Sequence, residues 1–328
     1  MPQLITFAAL AVFSMDAPAH QDGAASSGDP VAAIFEGLLA ILLAASALLY
    51  AAGVIELWRK AGIGRGIRRV EVARFAVGWL FLTAALLSPL DELSQRSFAA
   101  HMCVHELLMV MAAPLMVLAR PLEAFAWALP AETMRYFAAI ARTGLLRKTA
   151  CALLAPAVAW CVHAVALWVW HVPALFVAAL ASPSLHVLQH TCFFVSALAF
   201  WWAMFGGSAR APEGISVACL FTMMLYTSAL GALLTVAQEA WYLQSGEPLP
   251  FGLTPLEDQQ LGGIVMWVPG GLAYLVAALA IVSAWLSPAR GSREHQRART
   301  KKAEIALRLL PRTARARLGA RSARLELL

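Results

Sequence analysis

Charge is what this sequence has least of. Asp, Glu, Lys and Arg make up 13% of its 328 residues, against 61% hydrophobic residues and a mean hydropathy of +0.70, whereas a soluble globular domain carries roughly 25% charge. That excludes a soluble protein. The net charge of +6 comes from Lys and Arg in short blocks between apolar runs. This pattern encodes membrane topology and is not a basic face for nucleic acid, so no nucleic-acid role is expected. The five cysteines (Cys103, Cys151, Cys161, Cys192 and Cys219) lie in or beside apolar runs without a CxxC pair, which implies no disulfide framework. Ser-His-Asp, HExxH, P-loop and GxGxxG patterns are missing too. The chain is not expected to be an enzyme.

What the sequence has is long apolar runs. Seven are long enough to cross a bilayer: Val31 to Trp58, Val72 to Leu90, Met102 to Ala119, Ala150 to Trp170, Leu185 to Phe205, Ile215 to Ala237 and Leu261 to Leu286. The expected fold is an all-α, polytopic membrane bundle of seven transmembrane helices over residues 31–288. Arg59, Lys60, Arg65, Arg68, Arg69 and Arg74 mark the first loop as cytoplasmic, and Arg135, Arg142 and Arg147 mark the loop from Arg120 to Lys148 likewise. The loop from Gln238 to Gln260 carries only acidic charge and faces outward. The N-terminus is therefore expected outside and the C-terminus inside.

Leu4 to Phe13 is too short to span, and the small residues Ala17 and Ala19 follow it, so residues 1–19 are expected to be a signal peptide and residues 20–30 an outer segment. The Arg-rich tail, residues 289–328, is expected to be a cytoplasmic anchor touching anionic membrane lipid. Pro130 opens an amphipathic interfacial helix expected to end at Gly144. Pro173 to Leu180 is apolar but short and is expected at the outer surface.

On this topology the histidines converge. His101 with His105, and His186 with His190, are spaced four apart, so each pair presents two imidazoles on one helix face. Both pairs enter from the outside, and His171 ends the fourth span on that same side. His163 lies about 12 Å deeper and about 80° around the helix. Six of eight histidines thus fall on three successive spans, where ionisable groups are rare and usually face a site or path. They read as a metal or haem site, against a structural polar network as the bland alternative.

Imidazole suits Cu, Zn and Fe, and added thioether tilts a site toward Cu(I). Met102 and Met109 are the methionines placed to add it, with Met109 extending a His, His, Met stripe down the third span. Cys103 falls about 200° from His101 on a straight helix and is not expected to ligate. Glu106, Asp258 and Gln259 are candidates to orient imidazole N–H groups from behind.

Four blocks carry a resemblance: His101 to Leu115, Trp170 to Phe176, His186 to His190 with Phe200-Trp201-Trp202, and Asp258 to Trp267. Together they resemble the CtaG-type cytochrome c oxidase assembly factors over spans two to seven. The resemblance implies a seven-span protein of the bacterial inner membrane that matures a haem-copper oxidase, with copper supplied on the outer side and the oxidase subunits as partners. On this reading His101, His105, His171, His186 and His190 capture copper, and His163 is a deeper station or a hydrogen-bond partner. Two rivals stand beside it. One is a haem-binding electron-transfer or haem-processing protein, and the other is a metal transporter. The inner halves of the spans hold no further histidine or acidic ladder, which leaves a transport path without an exit. The seventh span holds no Lys, which excludes a retinal protein.

Overall fold

The computed structural model describes residues 30–206, 211–242 and 249–286. The proposed signal peptide, most of the outer N-terminal segment and the basic tail lie outside the described residues. The chain divides into a unit ending at Leu42 and a unit beginning at Leu43. The first contributes the start of helix α1 (Pro30–Ala61), and the second holds everything that follows.

Among the described residues all regular structure is helical. Six helices are long and apolar enough to cross a membrane, and a seventh span results if one bent pair counts as one. Helix α2 (Arg69–Leu87) is the second span, followed by the short α3 (Pro89–Ser94). The third span is composite: α4 (Phe98–Glu106), a π-helical segment (Leu107–Ala112) and α5 (Ala113–Leu118). On the side joining spans three and four lie α6 (Pro121–Ala128) and α7 (Ala131–Ala141).

The fourth span departs from the continuous run expected over Ala150 to Trp170. It is α8 (Gly144–Leu153) and α9 (Pro156–Trp170), bent by 69°. Pro156 disfavours helical geometry at Ala155, which takes ψ 132°, and the helix must restart. Gly144 likewise opens α8 instead of ending α7, because Thr143, at φ −57° and ψ 139°, leaves the helical conformation and takes the N-cap position of the new helix without a side-chain cap bond. The remaining helices are α10 (Pro173–Ala181), α11 (Pro183–Phe205, span five), α12 (Glu213–Thr235, span six) and the seventh span. The last comprises α13 (Pro255–Val265), a π-helical segment (Met266–Gly270) and α14 (Gly271–Leu286). It begins six residues before the apolar run does, because Thr254 at the N-cap and Glu257 at the third helical position form a capping box around Pro255.

Both π segments coincide with a proline. Pro114 follows the first by two residues and Pro269 lies inside the second; a proline lacks the N–H and crowds the carbonyl four residues back, so the local turn widens. At the first, the Ala113 N–H bonds to the Leu108 carbonyl. The Met109 carbonyl loses that donor, and its next candidate, Pro114, has none. The Trp201 indole supplies the missing hydrogen bond at 2.8 Å, which ties span five to span three.

Spans three and five are therefore neighbours, as the shared site requires. Span seven packs against spans three and six. Its approach to span six needs the glycines: a Cβ on Gly263 would lie 2.6 Å from the Gly231 carbonyl oxygen.

Candidate metal centre

The histidine end of α4 is held by its capping. Ser97 is the N-cap and accepts from the Ala100 N–H at 3.2 Å. Asp258, on α13, accepts from the Ser97 hydroxyl at 2.7 Å, the Phe98 N–H at 2.6 Å and the Ala99 N–H at 3.3 Å. A carboxylate at a helix N-terminus satisfies otherwise unpaired donors and complements the helix dipole. Asp258 thus fixes where α4 begins and hence where its two histidines point. This corrects the sequence reading, in which Asp258 backed an imidazole.

His101 and His105 project from one face of α4 with ring centroids 4.4 Å apart. Opposite them on α11, His186 and His190 lie 4.2 Å apart. Between the helices the centroids of His101 and His186 are 5.4 Å apart, those of His101 and His190 5.7 Å, and those of His105 and His190 5.4 Å. One ring nitrogen from each of His101, His186 and His190 falls within 4.8 Å of the others. His171, at the end of α9, joins through His105 at 5.7 Å. Five histidines from three spans therefore meet at one place.

The hydrogen bonds set how the rings can act. The His101 Nδ1 faces the Ser94 carbonyl at 3.2 Å. A carbonyl only accepts, so Nδ1 carries the proton and the neutral ring presents the Nε2 lone pair to the site. The Gln95 amide N–H donates to His186 Nδ1 at 3.2 Å, so in the neutral ring the proton sits on Nε2, and His186 ligates only after that proton leaves or the Gln95 bond gives way. The Nε2 atoms of His101, His186 and His190 and both nitrogens of His105 are buried without a hydrogen-bond partner among the described residues. Buried polar atoms are ordinarily paired, so unpaired nitrogens on four converging rings, each neutral imidazole able to offer one lone pair, fit a bound cation. Every donor in the cluster is an imidazole or, through Met102, a thioether. No cysteine belongs to the group, in agreement with the helical spacing.

Aromatic residues cover part of the cluster, which stays partly open at His186. Phe176 of α10 is fully buried and packs against His101 at 4.8 Å. Phe98 stacks on Tyr242 at 4.4 Å, and the Tyr242 hydroxyl donates to the His171 carbonyl at 2.6 Å. Burial pushes the Tyr242 phenol above its ordinary range and keeps it a neutral donor. The segment around Pro173, expected to lie on the surface, thus sends a side chain into the core.

Not every candidate residue arrives. The His163 ring is deeper, 3.0 Å from the Ser196 hydroxyl, 3.4 Å from that of Tyr274, and stacked on Phe200. It is a hydrogen-bond partner in a separate network. Met109 lies in the π segment, where the changed period breaks the stripe drawn on a straight helix, and its side chain belongs to the hydrophobic core. The buried Glu106 faces Gly270 on span seven; a Cβ there would lie 2.8 Å from Glu106 Oε2. Gln259 accepts from the Trp241 N–H at 2.6 Å and anchors the adjoining loop. Met102 does arrive, with its sulfur 3.3 Å from His171 Nε2.

Sequence reasoning missed Gln189, which is fully buried beside His101, and the apolar cover formed by Phe176 and Tyr242. Gln189 lies inside the second histidine pair, and its place one residue before His190 was the only signal.

A protein-family model, cytochrome c oxidase caa3 assembly factor (Caa3_CtaG), matches residues 48–287. The chain belongs to this family. The match takes in every helix that carries the cluster, so the histidine centre lies within the family domain of this assembly factor. No curated protein and no solved structure matches the chain.

Proposed function

We propose that this assembly factor binds copper at its histidine cluster on the outer side of the bacterial inner membrane and hands it to a haem-copper oxidase. The N-terminus would lie outside and the C-terminus inside. One observation carries the reading: the converging, buried and unpaired ring nitrogens of His101, His105, His186 and His190. The neutral His101 imidazole can capture a copper ion without first losing a proton, because the Ser94 carbonyl holds it in the competent tautomer, whereas His186 first gives up its Gln95 contact or its Nε2 proton. Phe176, backed by Phe98 and Tyr242, covers the His101 side of the cluster and limits competition by water there. More donors than one ion needs allow it to be passed on by exchanging one ligand for another. The role is binding and delivery, without catalysis.

The test is oxidase maturation in cells carrying His105→Ala or His190→Ala. Copper-deficient oxidase supports the reading, and fully metallated oxidase at normal levels contradicts it. The haem alternative is read from the absorption spectrum of the purified protein, where no Soret band is expected. A transport role would carry the ion inward past His163, but that ring is engaged by Ser196 and Tyr274.

A further inference from the structure

The five converging histidines fall into two chemically different groups. His101, His186 and His190 form an all-imidazole face with nitrogens within 4.8 Å of one another. His171 stands beside that face and is linked to it through His105. Its Nδ1 lies 2.6 Å from the Leu167 carbonyl, which can only accept, so Nδ1 bears the proton and the neutral ring has a lone pair at Nε2. That lone pair is aimed at the Met102 sulfur, 3.3 Å away and fully buried.

Nitrogen and sulfur lone pairs facing each other form no hydrogen bond. A cation held by both makes the contact favourable. His105 stands between the two groups, 4.4 Å from His101 on one side and 5.7 Å from His171 on the other, with both its nitrogens unpaired.

We propose that Met102 and His171, with His105 as a shared ligand, form a second and softer station for Cu(I) beside the three-imidazole station of His101, His186 and His190. The assignment rests on the copper reading above and adds an internal order to it. Imidazole alone accepts Cu and Zn, whereas a thioether selects Cu(I), so the first station captures and the second discriminates. Movement between them replaces one coordinate bond by another around His105, with no change of oxidation state. The Tyr242 hydrogen bond to the His171 carbonyl, at 2.6 Å, ties the second station to the outer loop.

The test uses the full-length protein with selenomethionine in place of methionine, loaded with Cu(I) under reducing conditions. X-ray absorption should show selenium as well as nitrogen around copper. In Met102→Leu, a swap that conserves volume, the selenium signal should vanish while nitrogen remains. Cu(I) affinity should fall about tenfold, the scale on which loss of one supporting group acts, with Zn(II) affinity unchanged. His186→Ala should do the reverse, weakening Zn(II) and keeping the selenium signal. Cu(I) bound by nitrogen alone in the unsubstituted protein, or a selenium signal that survives in Met102→Leu, overturns the second station and leaves the copper reading standing. No Cu(I) uptake at all overturns both. The unsubstituted protein is measured first, so a variant that fails to fold does not remove the test.

Discussion

Asp258 accepts a hydrogen bond from the Ser97 hydroxyl at 2.7 Å, and this links the seventh span to the start of the histidine-bearing helix. Ser97 in turn accepts from the Ala100 N–H, so one carboxylate and one hydroxyl together terminate α4. Ser97→Ala should cost about 1 kcal/mol, the usual value of an N-cap, and Asp258→Ala more, because a buried charge-assisted contact is lost with it. Thermal unfolding in detergent measures both. The double variant should be less destabilised than the sum of the two, and strict additivity would contradict the linkage.

Backbone carbonyls fix two tautomers. In selectively 15N-labelled protein, His101 and His171 should both carry the proton on Nδ1, because each Nδ1 faces a carbonyl oxygen, of Ser94 and Leu167 respectively. Magic-angle-spinning spectra distinguish the two neutral forms by nitrogen shift. A proton on Nε2 of either ring would refute the orientation from which its ligand role follows.

The indole of Trp201 serves a carbonyl that the π segment and Pro114 leave without a backbone donor. Trp201→Phe keeps the ring bulk and removes the N–H. It should cost about 1 to 3 kcal/mol, the penalty of an unsatisfied buried acceptor, seen as a lower unfolding temperature. Copper affinity should change far less than stability, because the Trp201 ring packs on Phe200, Phe205 and Tyr274.

Gly270 makes room for Glu106, and a Cβ added there would fall 2.8 Å from the carboxylate. Gly270→Ala should therefore destabilise the packing of span seven on span three, and Glu106→Ala in the same chain should recover part of the loss by vacating the space. A double-mutant cycle on thermal stability measures the coupling. Independent effects would contradict the contact.

Much of this was legible in the sequence, and the reasons are physical. The spans could be read because apolar length against bilayer thickness is a one-dimensional property. His101 with His105 and His186 with His190 could be paired because four-residue spacing fixes a helix face, and loop charge set both pairs level. Met109 was misplaced by the same logic, since the stripe assumed a period that the π segment at Leu107–Ala112 does not keep. Pro114 was the warning. The role of Asp258 was hidden because it depends on which helix start lies next to α13, a tertiary fact. The Leu167 carbonyl that orients His171 was invisible because a sequence does not show which backbone acceptor a ring will choose.

Whether the cluster holds copper is decided by competitive Cu(I) titration of the purified protein against a chromophoric chelator. The unsubstituted protein should withdraw copper from the chelator, and the folded His101→Ala/His190→Ala double variant should lose that capacity. Copper uptake equal in both, or none in the unsubstituted protein, would mean that the histidine cluster is not a copper site.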